Sequence, residues 1–130
     1  MREVAIIYFF LMITSVGWCQ KHSPFTLVSF NELGTVTSDT LQLKAYVLDV
    51  YVCPPCPPGA MCKPCIENHC TIVEEKPIDI MKVRLEDRVR IFADHPEKLE
   101  VGKQYLFTVR FKIRTENSKD NLVLISYKEF

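Results

Sequence analysis

The chain has 130 residues, 48% of them hydrophobic, and sixteen Lys+Arg balance sixteen Asp+Glu. That length holds one ordinary domain, and that hydrophobic fraction excludes a disordered polymer. A net charge of zero leaves no overall field to draw in a polyanion, so nucleic acid is not expected as a partner.

Residues 1–19 have the order of a signal peptide: Met1-Arg2-Glu3, the apolar run Val4 to Val16, then Gly17-Trp18-Cys19. The run falls short of the roughly 20 residues that a transmembrane helix needs, so no membrane span is expected after its removal. Cleavage is expected before Gln20, with the bond before Trp18 as the competing site. Cys19 resembles the lipid acceptor of bacterial lipoproteins, but bulky Trp18 in front of it departs from that pattern. Residues 20–130 then make a single domain outside the cytoplasm, secreted or periplasmic.

The first local signal in that domain is Ser29-Phe30-Asn31-Glu32, with capping-box spacing for a short helical turn that buries Phe30 and Leu33. From Leu41 the pattern is β. Leu41, Leu43, Ala45 and Val47 alternate with polar residues, and the apolar phase then shifts to Leu48, Val50 and Val52. Such a shift is what a bulge produces; burial of both faces is the alternative. A second strand is expected over Thr71–Glu75, ended by Lys76-Pro77, and a third in the later part of Ile80–Ala93. Asp94 to Lys98 breaks that strand and starts at most one helical turn. Tyr105, Phe107, Val109, Phe111 and Ile113 alternate with Leu106, Thr108, Arg110, Lys112 and Arg114, giving the fourth strand an apolar and a basic face. After a polar turn, Leu122–Tyr127 is the fifth.

Five strands, the first long and bent, point to an all-β fold: a small five-stranded OB-like barrel, with a partly open β-sandwich as the alternative. Closure would also cover the edge of Leu122 to Ile125.

Between the first two strands lies Cys53-Pro54-Pro55-Cys56-Pro57-Pro58-Gly59-Ala60-Met61-Cys62-Lys63-Pro64-Cys65, which holds five of the eight prolines. Cys70 follows. Without Cys19, five cysteines remain in a compartment where thiols oxidise. Cys70 is in phase with Ile72, so it should face the core as the free thiol. Cys53, Cys56, Cys62 and Cys65 are expected to tie the loop by disulfides of open connectivity, each contributing roughly 2–3 kcal/mol. Two other chemistries fit these residues. Four thiolates, with His69 as a substitute, would bind zinc, although only five residues separate the C-x-x-C pairs. A Cys53–Cys56 redox pair would need a helix after it that the prolines forbid. A stiff, exposed loop also loses little entropy on docking, so Pro54, Pro55, Pro57, Pro58, Gly59, Met61, Lys63 and Pro64 form a candidate binding surface.

The run from Cys53 to Cys65, just after Tyr46-Val47-Leu48-Asp49-Val50-Tyr51, resembles small exported bacterial proteins of uncharacterised function that carry a C-P-P-C-P-x-G-x-x-C-K-P-C motif. The resemblance implies export and a loop that acts as one unit; it implies no catalytic residue, ligand or partner.

Other features are weaker. His22, His69 and His95 are scattered and read as isolated surface histidines. Asp49 stands where the first strand changes face. Arg110, Lys112 and Arg114 could line a groove with Arg84, Arg88 and Arg90 of a neighbouring strand, though Glu86 and Asp87 interrupt the row and a solvated sheet face is the simpler expectation. No catalytic constellation and no cofactor are expected. The sequence points to an exported, non-catalytic module that binds a protein or cell-envelope ligand, with a zinc or thiol-redox protein as the alternative.

Overall fold

The computed structural model describes residues 25–113 and 118–130; the expected signal peptide, its cleavage sites, His22 and Arg114 lie outside them. Five strands, β1 (Thr40–Tyr51), β2 (His69–Val73), β3 (Arg88–Phe92), β4 (Gln104–Phe111) and β5 (Leu122–Glu129), close into a ring in the order β1-β2-β3-β5-β4 and back to β1. All neighbours are antiparallel except β3 and β5. This is the five-stranded OB-like barrel, and the open sandwich is not formed.

The bend that lets β1 close the ring is written into its apolar phase. Its first half, from Thr40 to Tyr46, pairs with β4, and its second half, from Tyr46 to Tyr51, pairs with β2. The ladder slips between Val47 and Asp49, so Leu48 is the extra residue of a bulge, and Val47 and Leu48 are both buried. The turn before β4 docks on this point. Gly102, at φ +87°, donates its N–H to the Val47 carbonyl at 2.8 Å, and the Val47 N–H donates to the Lys103 carbonyl at 3.0 Å. A side chain at position 102 would strain that backbone.

The core is the barrel interior, where Leu41, Leu43, Ile72, Val89, Ile91, Phe107, Val109 and Leu122 are wholly buried. A 3-10 turn over Phe30–Glu32 adds Phe30 and Leu33, and Glu32 Oε2 accepts the Ser29 N–H at 3.2 Å. Between β3 and β4 the single turn Pro96–Lys98 brings Pro96 and Leu99 into the interior. Tyr105 closes that corner by accepting the Glu100 N–H on its hydroxyl at 3.1 Å.

Several expected boundaries move. β2 begins at His69 and ends at Val73, leaving Glu74 and Glu75 exposed outside the strand. Val52 and Ile113 lie beyond the ends of their strands and are exposed. Closure is also thinner than alternation implied: β3 and β5 share only Ile91↔Leu122 and Phe92↔Val123. From Leu124 onward the outer edge of β5 carries no strand among the described residues, so Leu124 and Ile125 are not covered there.

Candidate functional site

β1 stops because Pro54 and Pro55 remove two ladder donors immediately after Cys53. The loop that follows is held by two nested bridges, Cys53–Cys65 outside and Cys56–Cys62 inside, with Cα–Cα separations of 5.8 and 5.9 Å. At its tip, Ala60 donates its N–H to the Pro57 carbonyl at 3.1 Å, and Gly59 has φ +81°. Proline at the second position and a positive-φ glycine at the third are the requirements of a type II turn. Pro54 to Glu67 is exposed throughout, and the Met61 side chain stands fully in solvent.

The foot of the loop is fixed by Asn68. Its Oδ1 accepts the Cys53 N–H at 2.8 Å, its Nδ2 donates to the Asp94 carbonyl at 3.4 Å, and its own carbonyl accepts the Ala93 N–H at 3.1 Å. One residue thus joins the end of β1, the start of β2 and the exit of β3.

Beside it, Tyr51, His69 and Phe92 stand opposite one another on three adjacent strands. The His69 ring stacks on Tyr51 at 5.0 Å and meets Phe92 edge-on at 6.1 Å, and its Nδ1 is 2.8 Å from the Glu67 carbonyl. His69 is therefore a buried, packed histidine and not the isolated surface group its sequence context suggested. Lys112 lies 5.1 Å over the Phe92 ring and pairs with Glu67 at 2.5 Å, tying the end of β4 to the loop.

These groups outline a groove. It is lined by Phe92 and Val123, by the bridged Cys53 and Cys65 with Ile66, and by the charged Asp94, Arg110 and Lys112.

Neither C-x-x-C unit is bridged within itself: each bond joins a cysteine of one unit to a cysteine of the other. Zinc binding by these four residues would need both bonds broken, because a disulfide sulfur is not a thiolate. Among the described residues no group of three or more His, Cys, Asp or Glu is placed to hold a metal ion. Cys70 is a free thiol inside the barrel, where burial pushes its pKa up to about 12. Its thiolate is thus scarce at neutral pH, and it is no nucleophile.

The arginine row does not assemble. β5 lies between β4, which bears Arg110, and β3, which bears Arg88 and Arg90. Arg84 precedes β3 and pairs with Glu86 at 2.8 Å and Asp87 at 3.2 Å. His95 is exposed beside Glu97, and Asp49 is exposed opposite Thr71. Arg110 and Lys112 of the expected basic row do line the groove, whereas sequence reasoning missed Asn68 and Glu67, whose roles arise only from where the ends of the strands are brought together.

No protein-family model matches this sequence, and no curated protein matches it. The bridges themselves indicate an oxidising, extracytoplasmic setting. No helix among the described residues is long and apolar enough to cross a membrane.

Proposed function

We propose that this protein is a secreted or periplasmic, non-catalytic binding module that uses the disulfide-tied loop, and the groove at its foot, to contact a protein or a cell-envelope ligand. The observation that carries this reading is the way the loop is built. Two nested bridges and the Asn68 clamp hold an exposed, proline-rich surface in one arrangement. Such a surface adds almost nothing to the hydrophobic core, yet it loses little conformational entropy when it docks. Met61 supplies an apolar tip, and Lys63 is the one charge between Cys53 and Cys65. The motif likeness to small exported proteins bears on export and on the loop as one unit, not on what it binds.

The test is site-specific photo-cross-linking in the organism's own envelope fraction, with benzoylphenylalanine replacing Met61 and, as the control, Leu85, which is also exposed but lies outside the loop and groove. A discrete adduct from position 61, absent from position 85 and lost after the bridges are reduced, is the expected result. Equal labelling from both positions would sink the assignment of the loop.

A further inference from the structure

The later part of β5 has an open side. Only Leu122 and Val123 meet β3, and from Leu124 onward the strand pairs with β4 alone among the described residues. One hydrogen bond fixes the direction of its free groups. Phe130 donates its N–H to the Gln104 carbonyl at 3.1 Å, and successive residues of an antiparallel strand turn their N–H and C=O to opposite sides. Lys128 and Ser126 therefore bond to β4, whereas Tyr127 and Glu129 point theirs away from it and meet no backbone partner among the described residues. The edge is held in place. The Tyr127 ring packs edge-on against buried Tyr105 at 5.6 Å, and Glu129 pairs with Lys103 at 3.0 Å. No proline or glycine interrupts Leu122–Glu129, and Ile125 and Tyr127 are exposed. A preformed, unpaired edge of this kind accepts a further strand.

We propose that this further strand is β5 of a second copy, joined antiparallel across a two-fold axis that passes through Tyr127. Self-pairing is the closed solution, because each copy offers the same free residues and one axis uses up both edges. The charges select the register. Outward groups must face outward groups, which leaves three antiparallel pairings of Tyr127 and Glu129. Setting Tyr127 against Glu129 of the second copy would bring Lys128 opposite Lys128, and setting Glu129 against itself would oppose two carboxylates. With Tyr127 against Tyr127, Lys128 lies opposite Ser126 and Glu129 opposite Ile125, so no like charges face each other. The two Tyr127 residues then exchange a pair of N–H···O bonds. A net charge of zero adds no overall repulsion between copies. Because β5 begins at the end of the barrel that carries the cysteine loop, the antiparallel dimer points its two loops in opposite directions.

The dimer does not depend on what the loop binds, and it is tested apart from it. Sedimentation velocity of the exported, oxidised protein over a concentration series should show a monomer–dimer equilibrium. Ser126→Lys, at an exposed position, places a lysine opposite Lys128 twice by symmetry and should weaken the dimer about tenfold. Adding Lys128→Glu should restore it, while Lys128→Glu alone should change it little. In hydrogen exchange, protection of the Tyr127 amide should rise with protein concentration well beyond that of the Lys128 amide, which is already bonded to β4. A monomer at every concentration, or a dimer that Ser126→Lys leaves intact, would overturn the proposal. So would a Tyr127 amide protected equally at all concentrations, which would mean that the chain covers its own edge. Protection gained only on adding envelope extract would likewise overturn it and assign the edge to a foreign strand.

Discussion

The side chain of Asn68 accepts the backbone N–H of Cys53 at 2.8 Å, so the residue before β2 caps the second residue past the end of β1. The Cys53 amide is half-buried, and its neighbours Pro54 and Pro55 offer no N–H to share the load. Asn68→Ala should therefore cost about 1–2 kcal/mol. Hydrogen exchange at the Cys53 amide should rise well beyond the change at core amides such as Ile72. Unchanged exchange at Cys53 would show that the clamp does not hold in solution.

Phe107 is wholly buried inside β4, whereas Phe111, at the strand's end, is only partly buried against the core. Phe107→Ala should destabilise by about 3–5 kcal/mol through the cavity it leaves. Phe111→Ala should cost less, below about 2 kcal/mol. Urea denaturation measures both, and equal losses would contradict the difference in packing.

Thiol counting tests the bridges. Within residues 20–130, denaturation without reductant should expose one alkylatable thiol, at Cys70, and five after reduction. Removing Cys56–Cys62 should cost somewhat less than removing Cys53–Cys65, because the inner ring closes a sequence separation of 6 and the outer one of 12. By loop closure the two contribute roughly 2–3 kcal/mol each. The circular dichroism of the barrel should survive both losses. Five reactive thiols without reductant, together with bound zinc, would instead identify a metal site.

Cys70 gives a pH prediction with a definite sign. Its folded pKa is raised by burial from the ordinary value of 9.0 to about 12, so above pH 9.0 the unfolded chain releases a proton that the folded chain keeps. Stability from this group is fully present below pH 9.0 and is lost as pH rises toward about 12, with a slope approaching about 1.4 kcal/mol per pH unit. Cys70→Ala should remove that slope from denaturation curves measured across the same range. The difference between wild type and variant isolates the contribution of Cys70.

Much of the barrel was legible because each buried strand carries a phase. In β1 the step from Val47 to Leu48 announced the bulge, and in β4 Tyr105, Phe107 and Val109 announced the inner face. The start of β2 was not legible. His69 and Cys70 sit next to a loop dominated by cysteine and proline, and polar His69 gains its burial only from Tyr51 and Phe92 on other strands. The arginine row failed for a related reason. Alternation tells which way Arg110 points, but not that β5 separates it from Arg90, since strand order depends on closing the ring. The same holds for the groove: Glu67 and Lys112 are far apart in the chain, and their pairing follows from the register of the strands around the barrel.

The nested bridges also change the kinetic identity of the β1–β2 hairpin. In the reduced chain its strands must find each other across residues 52–68, a long excursion whose prolines and glycine form no strand of their own. Once Cys53 is bonded to Cys65, with their Cα atoms 5.8 Å apart, the chain can bypass everything between them. Tyr51 and His69 then meet as if joined by a short turn, and a non-local pairing becomes local. Oxidation acts here as an edit of contact order: it shortens the search that sets the folding rate, while the excised segment is left free to diverge in sequence without slowing the barrel.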